Sequence, residues 1–278
     1  MPLLAHNVPV IAQPQTPVQQ TPSSATTAPP DSPFHISLYE PNYIIPLSYV
    51  TAPDETVYAG QTPDNQHVSH VEFKFQVSLK VPVLTDIAGL PVTLYGAYTQ
   101  TSFWQAYVGS AYFRESDYEP SMFFNYRWRE PLPGGWTLES VDAGGMHQSN
   151  GRGGTLERSW NRLYVAATAT HGPWTVRIEP WFPVPDWTLH QHNPDIAHYL
   201  GYGRWVASYH HGHQTVSVLS RNNLTSAFRR GAWQLSWSFP VGQTLRGYLQ
   251  VFSGYGQSLI EYDHRTNAIG LGISLNDW

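Results

Sequence analysis

The chain has 278 residues, a formal net charge of −5, 13% charged and 14% aromatic residues, and no cysteine. That mildly acidic balance gives no basis for nucleic-acid binding, and the missing cysteines exclude disulfides and thiolate metal sites. No apolar run reaches the roughly 18 residues of a membrane-spanning helix.

Residues 1–33 are rich in Pro, Gln, Thr and Ser and lack the basic start and apolar core of a secretory signal, so they read as a disordered tail. From there to residue 278 the pattern is period two. Val71, Phe73, Phe75, Val77, Leu79 and Val81 alternate with polar residues, and so do Trp233, Leu235, Trp237 and Phe239, then Ile269, Leu271, Ile273 and Leu275. Such alternation marks strands with one apolar and one polar face. The pattern predicts twelve strands, near 41–51, 70–81, 92–106, 118–128, 136–149, 159–170, 173–184, 197–209, 214–222, 227–239, 244–254 and 267–277. Short turns built on Gly134-Gly135, His171-Gly172-Pro173, His211-Gly212 and Pro240-Val241-Gly242 alternate with longer loops, among them 52–69, 107–117, 150–158, 185–196 and 255–266.

Segments of this length, even in number, with short turns at one end and long loops at the other, predict an all-β, twelve-stranded antiparallel transmembrane β-barrel of the Gram-negative outer membrane. Backbone groups in lipid must all be paired, so a closed sheet is the strand solution there. A soluble barrel would put its charges outside. Here Lys74, Lys80, Arg177, Glu179 and Arg246 share the polar face, which suits an ion-paired lumen, and the chain ends on Trp278 as outer-membrane barrels commonly end on an aromatic residue.

Within this frame, His147 and Ser149 share one face of a strand end, because residues i and i+2 point the same way. A tight return through Gly151–Gly154 brings Asn161 back on the next strand. The three supply a nucleophile, a base and an orienting group. By parity all three lie with Val141, Ala143, Leu163 and Val165, on the apolar, lipid-facing side. Polar residues facing lipid are costly and mark function, and a triad there implies a lipid substrate. A neutral Asn orients the imidazole without placing a carboxylate at the hydrocarbon edge.

These residues resemble outer-membrane phospholipase A, a family of twelve-stranded lipolytic barrels. The resemblance rests on His-x-Ser-Asn-Gly-Arg (147–152), Arg-Ser-Trp-Asn-Arg-Leu-Tyr (158–164), Phe-Arg-Glu (113–115) with Tyr-Glu-Pro (118–120), Asn-Pro-Asp-Ile (193–196), Ser-Gly-Tyr-Gly-x-Ser-Leu-Ile (253–260) and the terminal Leu-Asn-Asp-aromatic, over about residues 36–278. It implies a calcium-dependent serine hydrolase that releases fatty acids from the sn-1 and sn-2 positions of glycerophospholipids, and from lysophospholipids, when dimerised. Ser149 would be the nucleophile, His147 the general base and acid, and Asn161 the orienter. Amides near Ser149 and Gly151 would form the oxyanion hole. One Ca²⁺ per active site would be held by the Arg152 carbonyl and by Ser110 of the partner subunit. Glu157 stands where the family has a Ser and His192 where it has an Asp; Asp195 and Asp186 are nearby alternatives. Gln100 matches a polar residue of the family's homodimer interface. The other reading is a porin-like or structural barrel with an idle triad, which the changed calcium positions leave open.

Overall fold

A computed structural model describes residues 35–185, 192–242 and 245–278. The 1–33 tail and Asp186 lie outside the described residues. Twelve long strands follow a two-residue strand β1 (Ser37–Leu38). They are β2 (Tyr43–Val50), β3 (Val71–Leu84), β4 (Val92–Gln105), β5 (Tyr112–Pro131), β6 (Thr137–Ser149), β7 (Ser159–His171), β8 (Trp174–Val184), β9 (Gly203–His211), β10 (Gln214–Asn222), β11 (Gly231–Val241), β12 (Leu245–Tyr255) and β13 (Arg265–Ser274). Each pairs antiparallel with its sequence neighbours, and β13 pairs with β2, with Ile269 opposite Tyr49, so the sheet closes on itself. All strand edges are thereby paired, as a sheet in lipid requires.

The alternation read from the sequence has the predicted sense. Leu163, Val165, Leu271 and Ile273 are exposed on the outside, where lipid would cover them, while Arg114, Glu115, Glu179 and Glu72 are buried inside. The interior charges of Arg177, Arg204 and Lys74 are ion-paired or hydrogen-bonded. Arg177 reaches Asp142 at 2.5 Å and Glu179 at 3.0 Å, Arg204 bonds Glu40 and Glu179, and Lys74 donates to Gln250 at 2.7 Å. An unpaired buried charge would cost several kcal/mol, about 3–5 when one partner is removed, so these contacts knit the inward face into a polar network. The segment after β12 folds into the barrel mouth. There the Leu259 amide donates to Asp117 at 3.0 Å and the Ile260 amide to Glu115 at 3.1 Å.

Three elements differ from the expectation. β5 begins at Tyr112, six residues before the predicted 118. Residues 112–117 read as loop because parity breaks there: Glu115 pairs with Phe103 and Phe113 with Trp104, so Arg114 is the extra residue of a bulge. As a result Arg114 and Glu115 both point inward, which a period-two reading scores as loop. The predicted strand at 197 is instead a short helix α1 (Ile196–Leu200) whose Ile196 and Leu200 are buried; five residues are too few to show a 3.6-residue period. Finally, residues 227–230 are loop, because Ala227 and Phe228 hold positive φ (51° and 63°) and cannot extend β11.

Candidate active site

His147 and Ser149 close β6, and Asn161 lies three residues into β7. The hairpin register pairs His147 directly with Asn161 and Ser149 with Ser159. Trp160, Arg162 and Tyr164 of β7 are buried inward, so Asn161, Leu163 and Val165 face out. The three predicted site residues are brought to one outer face, each half-buried.

The decisive contact is His147 Nδ1 to Asn161 Oδ1, 2.8 Å. The amide oxygen only accepts, so the proton of the neutral imidazole is on Nδ1 and the lone pair is on Nε2. That is the tautomer a general base for Ser149 needs. On an extended strand, Ser149 follows His147 on the same face, about 7 Å away at Cα.

The loop beyond Ser149 is built by residues the sequence reading did not single out. Asn150 is buried; its side chain donates to the Leu156 carbonyl at 2.8 Å and accepts from the Arg158 amide at 3.0 Å and the Arg152 amide at 3.3 Å. One amide side chain therefore stands in for a whole turn of backbone pairing. Asn193, also buried, does the same for the start of β7, bonding the Ser159 amide and carbonyl at 3.1 and 2.9 Å. Both belong to motifs already noticed, but a buried scaffold Asn leaves no periodic signal. Gly151 sits at φ +64°, and a Cβ there would lie 3.0 Å from the Tyr118 ring, so a side chain would disturb the amide next to the site.

The Arg152 side chain is not free to meet a lipid phosphate. The guanidinium is taken: Nε donates to Glu115 at 3.0 Å and a terminal nitrogen to the Arg114 carbonyl, inside the barrel wall. Its backbone carbonyl and the Glu157 side chain remain without partners among the described residues, and Glu157 is half-buried on the same loop. These are hard oxygen donors, which suit Ca²⁺. His192 is exposed and offers nitrogen, which does not suit it. Asp195 accepts from the Tyr262 hydroxyl at 2.7 Å and so is engaged in holding its loop. Ser110 is tied to the β2–β3 loop, its hydroxyl to Asp64 at 2.5 Å and its carbonyl to Gln66 Nε2 at 2.7 Å. Among the described residues, a single chain holds no cluster of three His or carboxylate ligands.

Gln100 lies on the outer face of β4, where the Tyr98 hydroxyl donates to it at 2.9 Å and it donates to Ser102 at 3.0 Å. It is register-paired with Tyr118, whose other neighbour is Ser149, so Gln100 and the triad occupy one continuous outer face.

The family model for Phospholipase A1 matches residues 21–275. Phospholipase A1 of Escherichia coli (strain K12) is 37% identical over 249 residues, 89% of this chain and 83% of that protein. A putative phospholipase A1 of Neisseria meningitidis serogroup B is 36% identical over 86% of this chain and 65% of its own length. Among solved structures, outer membrane phospholipase A from Escherichia coli superposes with a TM-score of 0.81 at 36% identity, covering 89% of this chain and 94% of that one. The Salmonella typhi outer membrane phospholipase dimer with bound calcium also scores 0.81, at 35% identity over 88% and 94%. An active-site asparagine-to-alanine variant of the Escherichia coli protein matches as well, with a TM-score of 0.81 at 36% identity over 89% and 94%.

Proposed function

This chain belongs to the phospholipase A1 family, an outer-membrane phospholipase barrel, and on that premise we propose that Ser149, His147 and Asn161 are its catalytic triad. The observation that carries the proposal is the 2.8 Å contact between His147 Nδ1 and Asn161 Oδ1 on the outer face. A base fixed in the right tautomer beside a strand-mate serine has little use on a lipid-facing wall other than acyl transfer.

In the proposed reaction, Ser149 Oγ attacks the acyl carbonyl of a glycerophospholipid at the sn-1 or sn-2 position, or of a lysophospholipid. His147 Nε2 takes the hydroxyl proton and returns it to the departing glycerol oxygen. Amides near Ser149 and Gly151 donate to the oxyanion. Water, deprotonated by His147, then attacks the acyl-serine ester and releases the fatty acid. Asn161 holds the imidazole throughout by accepting a hydrogen bond from Nδ1–H.

Calcium fits the loop in part. The Arg152 carbonyl and the Glu157 carboxylate would hold one ion per active site together with the partner's Ser110; His192 would not contribute. Bound there, Ca²⁺ would add Lewis-acid polarisation of the substrate carbonyl. Two donors from one chain are too few for a six- to eight-coordinate ion, which favours a site completed in a homodimer. The half-buried Gln100, on the same outer face as the triad, supports a polar contact in that interface.

The test is fatty-acid release from mixed detergent–phospholipid micelles by refolded protein, with calcium and with a chelator. Calcium-dependent release that disappears in Ser149→Ala supports the proposal. Release by Ser149→Ala at the wild-type rate overturns it, and no release under any condition favours an idle barrel.

A further inference from the structure

A second site lies at the loop end of the barrel, separate from the triad. Between β10 and β11 a cavity of about 450 Å³ is lined by His198, Asn223, Thr225, Ser226, Arg229 and Arg230. β6 and β7 carry the triad; β8 and β9 separate them from the β10–β11 hairpin one way round the closed sheet and six strands the other way, so the two sites occupy different stretches of the wall.

The cavity is built and not merely lined. Asn223 is buried; its amide donates to the His198 carbonyl at 2.7 Å, pinning α1 to the loop, and its oxygen accepts from the Thr225 amide and hydroxyl at 2.9 and 2.6 Å. Ser226 holds both arginines: its carbonyl accepts from Arg229 Nε at 3.2 Å, and its hydroxyl accepts from the Arg230 amide at 3.0 Å. The Arg230 guanidinium lies 4.4 Å from the centroid of the Tyr199 ring, and Tyr199 packs on Tyr255 and Tyr262. Neither arginine forms an ion pair among the described residues, in a protein whose other interior and loop cations are mostly paired. The loop also keeps two consecutive non-glycine residues, Ala227 and Phe228, at positive φ, and Phe228 is 66% exposed. Backbone held in this region costs of order 1 kcal/mol or more per residue and persists where it is useful.

Depth assigns the ligand. Trp205 and Trp233 both pair with Ser220 on either side of β10, edge to face with centroids 5.4 Å apart, and Trp233 is half exposed on the outer wall. Tryptophans of this kind sit at the membrane–water interface. Arg230 is three residues beyond Trp233, at most about 10 Å further along the chain, which is the level of lipid headgroups. Guanidinium groups match phosphate oxygens in charge and geometry. We propose that this cavity binds the phosphate of an outer-leaflet glycolipid headgroup, with Arg229 and Arg230 as ligands and Phe228 resting in its acyl–headgroup boundary.

The experiment uses the full chain carrying Ser149→Ala, so that no lipid is consumed. Its thermal unfolding midpoint in neutral detergent is followed while diphosphoryl lipid A, dephosphorylated lipid A or inorganic phosphate is added. Diphosphoryl lipid A should raise the midpoint saturably. Arg229→Gln/Arg230→Gln should raise the half-saturating concentration about tenfold or more, the worth of one charge-assisted hydrogen bond. Arg129→Gln, at the opposite end of the barrel, should leave it unchanged. Arg229→Gln alone, at an exposed position, should show part of the loss should the double variant fail to fold. Equal half-saturation in wild type and arginine variants overturns the proposal, and so does an equal loss in Arg129→Gln. An equal response to dephosphorylated lipid A would assign the binding to acyl chains, and an equal affinity for inorganic phosphate would make it a free-ion site; either result also overturns it.

Discussion

Arg152 Nε donates to Glu115 Oε2 at 3.0 Å, so the loop that follows Ser149 is anchored in the barrel interior. Glu115 is fully buried and its other oxygen accepts the Ile260 amide at 3.1 Å, while Arg114 beside it pairs with Glu72 and Glu261. The bulge at Arg114 makes this possible, since it turns two consecutive residues inward and offers the Arg114 carbonyl to Arg152. A lipid-facing site thus gains its rigidity from a polar network on the other side of the wall.

Arg152→Gln removes that anchor and leaves the backbone carbonyl in place but unheld. Misplacement by about 1 Å can cost roughly 10²-fold in rate. The expected result is a loss of that order in phospholipid hydrolysis, a higher calcium requirement, and normal membrane insertion. Arg152→Lys, which keeps the charge on Glu115, should recover part of both. A calcium titration of fatty-acid release on the three proteins measures this. An unchanged calcium midpoint in Arg152→Gln would show that the anchor does not position the loop.

Asn161→Ala leaves His147 with its ring free to take the wrong tautomer. Removing an orienting group costs roughly 10²–10⁴-fold in kcat while the nucleophile and oxyanion donors remain. Hydrolysis should therefore fall by that range yet stay measurable above Ser149→Ala. Single-turnover acylation by a chromogenic ester reads the difference, and full activity in Asn161→Ala would remove Asn from the triad.

Most of this site was legible in the sequence because strands convert spacing directly into facing. His147, Ser149 and Asn161 were placed on the lipid side by parity alone, and the register agrees. What escaped is what interrupts the period. Arg114 and Glu115 read as loop because a bulge shifts their parity, and α1 read as strand because five residues cannot display a helical repeat. Asn150 and Asn193 carry their loops through side-chain bonds to backbone, which depend on three-dimensional proximity and have no spacing rule. The Arg152 carbonyl and Glu157, the proposed calcium donors, share one loop in the sequence and in the fold, but the engagement of the Arg152 guanidinium with Glu115 needs the barrel wall, which only the fold supplies.

Glu157→Gln tests the metal. Replacing the carboxylate by a neutral amide keeps shape and one oxygen while removing the charge that a hard divalent cation favours. Activity at saturating calcium should persist, and the calcium concentration for half-activation should rise by roughly tenfold, about 1.4 kcal/mol. His192→Ala should leave that midpoint unchanged. Isothermal titration of Ca²⁺ into dimeric protein provides a second readout; identical midpoints for wild type and Glu157→Gln would take Glu157 out of the site.

Glu261 makes the loop plug pH-sensitive in a defined direction. Burial pushes its carboxyl up, but the Arg114 charge, the Asp54 amide and the Ser258 hydroxyl outweigh burial and hold it below the usual carboxylate range. A carboxyl whose folded pKa is depressed contributes stability that is fully present above the unfolded value, about 4.3 for Glu, and that is lost as pH falls through the folded value. Glu261→Gln keeps the volume and cannot pair with Arg114, which still has Glu72 at 2.5 Å. Breaking one arm of a buried pair costs about 3–5 kcal/mol when nothing else compensates; with Glu72 in place the cost should sit at or below the lower end near pH 7. The gap between wild type and Glu261→Gln should then be constant from pH 7 down to about pH 5, and narrow only below about pH 4, as the wild-type carboxylate takes up its proton. Urea unfolding of refolded protein in micelles at a series of pH values measures the gap. A gap that widens toward acid would reverse the sign of the linkage and show that Arg114 does not hold Glu261 ionised.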